Sequence, residues 1–493
     1  MKKQRATPSI RIIEARFGGI LGEQDNYLYL PTDCLKKTGI PTVATVTLKI
    51  GYLYRNIQIG RVSSTGDSQE PVFFLSPNLA LQCQLPKNTI LTIKYDEPAN
   101  ILCLGPLIGL LATKIAKPDS YFGFLEPSLL ALTSCAPCLP GLIFVFCPEN
   151  LDWDRLSVTG YMPVRNDFFP SLQDESGVQD CSQTWFAFSL PIPDVVYDRI
   201  PSRSVEARPE VSEAKTRLLA LTDLIYFNPM FLDKWETHLA LQEIAEVNKY
   251  LPPTQLVETT ADLKDFLDLY SSVFLKPSSG SLGRRIIKVV AGRNGHYRYM
   301  YRSKDKQTVQ GVVTSFRELT GVVQRVMGKR TYIAQKDLHL AKFEECPFDI
   351  RVLMQKNRWG NWRRTKIYVR KAAPDSFLSN LSDGARPQSI TVVLKTVFNC
   401  DFLTHVGLGE DIRRAVKEIP PALEKATGRI WGELGIDLGI DRNGKIWLIE
   451  ANSKPFRALV SASGSFDLIK RSLMRPLEFA KYLSGFYRHS PVK

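Results

Sequence analysis

Apolar and polar positions change period along this chain. Up to about residue 100 the apolar positions come in short runs rich in β-branched and aromatic residues: LYLPTDCLKKTGI (28–40), TVATVTLKIGYLY (42–54), IQIGRV (57–62), PVFFLS (71–76) and TILTIKY (89–95). Gly, Asn, Asp and Pro signals separate them, as they separate strands that turn back on one another. The runs predict a β-rich module over 1–100, with no cluster of reactive side chains. From 101 to 228, strand-like runs such as LIFVFC (142–147) and DVVYDRI (194–200) mark an α/β region, and VEARPEVSEAKTRL (205–218) reads as a boundary followed by a helix. The polar, irregular stretch 163–183 reads as loops.

From 229 to 488 helices and strands alternate. LDKWETHLALQEIAEVNKYL (232–251) has apolar residues at helical spacing and stops at Pro252-Pro253, and ADLKDFLDLYS (261–271) predicts a second helix. SVFLKPSSGSLGRRIIKVV (272–290) reads as strand, loop, strand. DIRRAVKEIPPALEKATGRIWGELG (411–435) keeps a helical pattern up to a hairpin. No internal repeat is present.

Composition then excludes classes. With 493 residues, 44% hydrophobic and 23% charged, the chain has enough apolar surface to bury several cores and is not a disordered or fibrous one. The longest apolar stretch starts at Ile101 and is interrupted by Gly105, Pro106 and Lys114, short of the roughly 18–20 residues of a membrane helix. The basic N-terminus has no apolar core for a secretory signal. Nine cysteines, an odd number scattered widely, suit a reducing cytoplasm rather than a disulfide scaffold. The lone Cys135-x-x-Cys138 pair has no second pair and no nearby His, so it predicts buried thiols and not zinc.

The net charge of +14 is unevenly placed. Residues 1–230 hold 21 Lys/Arg against 23 Asp/Glu, leaving 43 against 27 for residues 231–493. A basic C-terminal half implies an anionic partner. Its sharpest run, KNRWGNWRRTKIYVRK (356–371), has seven Lys/Arg with Trp359, Trp362 and Tyr368 interleaved. Such interleaving is used by single-strand nucleic-acid platforms. It also fits a hairpin in which 350–354 and 366–370 flank a Gly360-Asn361 turn and the charges form a solvated or anion-facing side; this is the reading adopted, with nucleic acid not expected as a partner.

The most informative segment is GIDLGIDRNGKIWLIEANSKP (435–455). Asn443-Gly444 between two β-type runs predicts a two-residue type I′ turn, which needs positive φ at both central residues. Arg442 then faces Lys445, Ile440 faces Trp447 and Asp437 faces Glu450. Two carboxylates about 4.5–5.5 Å apart across a ladder repel unless a cation lies between them. Asn452 projects to the same face as Glu450. Two carboxylates and an amide oxygen form an all-oxygen set suited to Mg²⁺ or Mn²⁺. Upstream, Lys276 ends a strand before Pro277-Ser-Ser-Gly-Ser-Leu-Gly283. Gly280 and Gly283 allow backbone amides to approach an anion, and Ser278, Ser279 and Ser281 add donors. The spacing is not that of a Walker A loop.

Taken together, the strand lysine and Ser/Gly loop, the linker strand Tyr332-Ile-Ala-Gln-Lys336, and Asp437 followed 13 residues later by Glu450-x-Asn452 resemble the ATP-grasp superfamily. More closely, FNPMFLDKWETH (227–238), LPPT (251–254), VFLKPSSGSLGR (273–284), CPFDIRVLMQKN (346–357), FLSNLSDGA (377–385) and the 433–455 segment resemble the YheC/YheD family of endospore coat-associated proteins. The resemblance implies an α+β chain with an ATP-grasp fold over 229–488, two α+β subdomains clasping ATP. An α/β pre-ATP-grasp region and the N-terminal β-rich module would precede it. It implies ATP and two Mg²⁺ (or Mn²⁺) ions held by Asp437, Glu450 and Asn452. Lys276 and Lys234 would contact phosphates, with the loop Ser279, Gly280, Ser281, Leu282 and Gly283 above them. Gln335, Lys336 and Leu338 would carry the linker whose backbone reads adenine, and Arg351 would sit near the γ-phosphate or the reacting carboxylate.

The reaction implied is carboxylate–amine ligation through an acyl phosphate, with a small-molecule or peptide acid and an amine acceptor, in the cytoplasm or at the spore coat. A coat-associated structural protein with little turnover and an ATP-grasp small-molecule kinase are the competing readings. Cys346, Arg284, Arg285 and Ala385 depart from the family's usual residues, and Gly435 stands where D-alanine–D-alanine ligases carry an arginine, against that particular chemistry.

Overall fold

The computed structural model describes residues 12–41, 45–63, 70–115, 120–135, 138–163, 185–280, 283–303, 307–373, 385–399, 407–455 and 466–487. The stretch expected to be loops, 163–183, lies outside these beyond residue 163, as does 377–384 of FLSNLSDGA. The chain divides into two compact units. Met1–Pro229, Lys356–Asn361 and Leu473–Lys493 form the first; Met230–Gln355 and Trp362–Ser472 form the second.

In the first unit the β-rich pattern closes into a seven-stranded barrel. The order around it is Ile12–Ile20, Val72–Leu75, Tyr27–Pro31, Leu53–Val62, Val46–Ile50, Ile101–Gly105 and Ile90–Asp96. Closure removes the free edges that short exposed strands would otherwise present. One run departs from its expected strand. Leu28 and Leu30 alternate inward, but from Thr32 the buried residues Cys34, Leu35 and Thr38 follow helical spacing, and Thr32–Thr38 is a helix ended by Gly39 at φ 74°. The α/β region forms a sheet whose central strands Leu142–Phe146, Leu107–Leu111, Val195–Asp198 and Ile225–Phe227 are parallel. The first three are buried at every position, the pattern of strands covered on both faces. The boundary and helix read over 205–218 are a break at Ala207–Arg208, after the short helix Arg203–Glu206, and the helix Pro209–Ala220. Arg208 precedes a proline and is extended, which the proline ring enforces.

The second unit contains two antiparallel sheets. In the first, Thr254–Val257, Tyr332–Lys336, Ser272–Pro277, Ile287–Ala291, Tyr297–Arg302 and Thr308–Val313 lie in that order. Val273, Leu275, Ile287 and Val289 pack under helices Thr260–Tyr270 and Phe316–Met327, so the intervening Phe274, Lys276 and Lys288 fall on the open face. In the second, Arg386–Gln388, Trp362–Lys371, Cys346–Lys356, Glu433–Ile440 and Ile446–Asn452 lie in order, and Ile350, Val352, Ile436 and Leu438 pack against helices Ile390–Phe398 and Leu408–Thr427. The helix predicted over 232–251 is two, Lys234–Gln242 and Ala245–Asn248, because the chain turns extended at Ile244 (φ −107°, ψ 104°). Gly360 makes the turn expected of the basic hairpin at φ 73°, with Asn357 N–H donating to Asn361 O at 3.0 Å.

The 435–455 hairpin corrects the predicted register while keeping its essential pair. The Asp441 carboxylate accepts from the amides of Asn443 (2.9 Å) and Lys445 (3.0 Å), and Gly444 N–H donates to Asp441 O. Only Gly444 has positive φ, 84°. The loop is therefore three residues, Arg442–Gly444, and not a two-residue type I′ turn. Arg442 does not face Lys445, and Ile440 faces Ile446 and not Trp447. Leu438 faces Leu448, then a bulge at Ile449 shifts the ladder by one, and Asp437 faces Glu450.

Candidate functional site

A cavity of about 290 Å³ opens in the second unit. Its walls bring together nine of the residues singled out by sequence: Lys234, Lys276, Gly280, Gly283, Gln335, Lys336, Leu338, Asp437 and Glu450. Ser279, Arg351 and Asn452 are not among the lining residues, and Ser281 and Leu282 lie outside the described residues. Ser278 is buried and turned away, donating its hydroxyl to the Asp233 carboxylate. That carboxylate also caps helix Lys234–Gln242 through the amides of Trp235 and Glu236. The start of the helix is thereby tied to the root of the loop, and Lys234 N–H donates to Ser278 O at 3.0 Å.

This tie places the Lys234 ammonium 2.8 Å from Gly280 O and 3.1 Å from Glu450 Oε1. Burial pushes the Glu450 carboxyl up, but the charge and hydrogen bond of Lys234, with Arg351 and Lys276, hold it below its ordinary value. Lys276 donates to Gln335 Oε1 at 2.5 Å, and Gln335 donates in turn to Thr254 Oγ1 at 3.1 Å. Burial, reinforced by the neighbouring Lys234 charge, lowers the Lys276 ammonium to about 8.

Asp437 is 4% exposed and stands between two guanidinium groups. Arg370 Nη2 lies 3.0 Å from Oδ2, and Arg351 Nε lies 2.8 Å from Oδ1. Burial nevertheless leaves the Asp437 carboxyl raised, with both arginines pulling it back down. Arg351 is close but misaligned, so Oδ1 is a buried carboxylate oxygen with no hydrogen-bond donor aimed at it. Asn452 Nδ2 lies 3.5 Å from Asp437 Oδ2. An orphaned carboxylate oxygen, a second carboxylate across the ladder and an amide that can turn over to present oxygen fit a hard divalent cation. Among the described residues no three His, Cys, Asp or Glu side chains gather as a metal cluster, Cys135/Cys138 included. Among the described residues no cysteine forms a disulfide.

Two members of this site were not foreseen. Arg370 is buried and binds Asp349 bidentately, Nε to Oδ1 at 2.6 Å and Nη2 to Oδ2 at 2.7 Å. Asp349 lies inside the quoted CPFDIRV run. Arg370 belongs to the basic run read as a charged face, and its pairing with Asp349, 21 residues earlier in the chain, is made only by the sheet. Gly435 explains how Arg351 reaches Asp437. A Cβ there would stand 2.7 Å from Arg351 Nη1 and 3.2 Å from Pro455 Cβ. Gly435→Ala is expected to displace Arg351 while lowering stability by only about 1 kcal/mol, since the nearest clash is with a flexible side-chain end. A urea melt and a crystal structure of the variant check this.

Two antiparallel sheets, a lysine-rooted Ser/Gly loop on one and a paired Asp/Glu on the other, constitute the ATP-grasp arrangement. The family model described as YheC/D like ATP-grasp matches residues 223–483, and the chain belongs to that family. It is 26% identical over 473 residues to endospore coat-associated protein YheD of Bacillus subtilis (strain 168), covering 94% of this chain and 95% of that one. It is 30% identical over 281 residues to endospore coat-associated protein YheC of the same organism, covering 56% and 74%. Among solved structures, D-cycloserine synthetase DcsG aligns over 75% of this chain and 99% of its own at 15% identity, with a TM-score of 0.42. Among the described residues no helix is long and apolar enough to cross a membrane.

Proposed function

We propose that the second unit is an ATP- and Mg²⁺-dependent ligase that joins a carboxylic acid to an amine. The observation that carries this reading is the single cavity in which Lys234, Lys276, Gly280 and Gly283 face the Asp437–Glu450 pair. Asp437, Glu450 and Asn452 would hold the divalent cations, which supply neutralisation of the phosphoryl oxygens. Lys276 and Lys234 place positive charge on the phosphates. The adenine would lie against the linker. There the amides of Lys336 and Asp337 are committed to Pro253 O and Ser272 O, while Leu338 N–H finds no acceptor among the described residues.

In the reaction a carboxylate oxygen of the acid attacks the γ-phosphorus, the bond to the bridging oxygen breaks, and ADP leaves. The amine then attacks the acyl carbon, loses a proton and expels inorganic phosphate. Little covalent chemistry falls to the protein, whose work is alignment and charge stabilisation. Arg370, locked by Asp349, and Arg351 aim guanidinium groups at the Asp437 end, where that charge spreads. The coat-associated relatives make the spore coat the setting in which to seek the substrates.

Phosphate release on mixing ATP, Mg²⁺, a carboxylic acid and an amine tests the reading. Release that requires both acid and amine is expected. Transfer onto an acceptor without amine would make it a kinase, and no turnover with any pair would leave a nucleotide-binding coat protein. The depressed Lys276 adds a pH signature. Its positive charge is present below about 8 and lost as pH rises through it, so affinity for a non-hydrolysable ATP analogue should fall above that pH. Calorimetry on Lys276→Arg, which stays charged, should flatten the fall.

A further inference from the structure

The cavity has two ends, and the chemistry proposed above uses one. Lys336 pairs with Val273, three residues before Lys276 on the same strand. On the other sheet Asp441 bridges to Leu340, four residues from Asp437. At roughly 3.3 Å per residue, both sheets set the linker end about 10–13 Å from the Lys276/Asp437 end.

Eight Lys/Arg and four Asp/Glu line the whole cavity. A triphosphate with about four negative charges is already neutralised by two divalent cations. The surplus of positive charge therefore needs another partner, and it is concentrated at the linker end. There the side chains of Lys288, Lys342 and Arg442 stand with a single acid, Asp337. Asp337 is already engaged, by Lys288 Nζ at 2.7 Å and the Ser272 hydroxyl at 2.9 Å. Lys342 has only a loose 3.7 Å pair with the exposed Glu345. Lys336, opposite Val273, lies over the Tyr270 ring on the helix-covered face and gives the cavity only its backbone. Arg442 has no acidic or hydrogen-bonding partner among the described residues. A neutral base and ribose would leave Lys342 and Arg442 unmatched.

We infer that the linker end is an anion subsite that takes a phosphate group, carried as an ester on the ribose of the bound nucleotide or delivered as a separate inorganic anion. The first source rests on the nucleotide reading above; the second does not.

Calorimetry on the full chain separates the cases, with ADP, ADP bearing a 2′- or 3′-phosphate, and inorganic phosphate alone or added to the ADP-saturated protein. Arg442 is exposed in the turn, so Arg442→Gln keeps the fold, and Lys342→Gln serves as the second variant. Ribose-phosphorylated ADP binding about tenfold or more tighter than ADP, the worth of one charge-assisted hydrogen bond, with the gap collapsing in either variant, establishes the ester source. Equal affinities for the two nucleotides, with inorganic phosphate binding lost in the variants, establishes the free anion. Phosphate binding that depends on Arg442 in a chain that fails to bind ADP keeps the subsite and removes the nucleotide reading. Indifference to ribose phosphate, with no phosphate binding sensitive to Arg442 or Lys342, overturns the inference, whether or not ADP binds.

Discussion

Arg370→Met is expected to lower the unfolding free energy by about 3–5 kcal/mol, the penalty of leaving buried charge uncompensated. Arg370 is 4% exposed and makes its contacts to Asp349 and Asp437 at 2.6–3.0 Å. Without it the two carboxylates face each other at low dielectric with Arg351 as their nearest cation. Urea unfolding in metal-free buffer gives the number. Combining Arg370→Met with Asp349→Leu should recover part of the loss, since a removed pair is far less damaging than half of one. A loss below about 1 kcal/mol, the size of an exposed ion pair, would show that the network is solvated and does not position Asp437.

Glu450→Gln should reverse the metal dependence of nucleotide binding. With Mg²⁺ present, affinity for a non-hydrolysable ATP analogue is expected to fall on the order of 100-fold, about 2.7 kcal/mol. Without Mg²⁺ it should hold or improve, because a negative charge leaves the cavity and Lys234 keeps its hydrogen bond to Gly280 O. Asp437→Asn should show the same opposition of signs. The change of sign is the informative part, because a general loosening of the site would weaken binding equally with and without metal. That outcome, in a folded variant, would remove these residues as cation ligands.

Much of this was legible in the residues themselves. Period-two runs, Gly/Pro punctuation and the Asp…Glu-x-Asn spacing are local signals, and they led to individual strands, the Ser/Gly loop and the paired carboxylates, while the two subdomains came only with the family resemblance. Closure of the barrel is not local: it needs seven strands to meet, and no short window contains that. Arg370 and Asp349 were hidden because 21 residues separate them and only the sheet brings them together. The hairpin was read correctly at Asp437 and Glu450 by an incorrect path. Asp441 captures the turn amides, and nothing in Asn443-Gly444 alone announces that. The missed signal was parity. Ile446 and Leu448 are core residues, while Glu450 and Asn452, at the same even spacing, belong to the opposite face, and a regular strand cannot satisfy both.

The bulge at Ile449 resolves that conflict, and it also separates two properties that evolution or an engineer can vary independently. Ile449 lines the cavity beside Glu450 and overlies Gly439. A chain lacking residue 449 would run as an unbroken strand with Leu448 and Ala451 still inward and Glu450 still opposite Asp437. The bulge thus places a side chain against the chamber that a one-residue deletion would remove while keeping Glu450 opposite Asp437, so the width of the chamber and the position of the acidic pair are set by different residues.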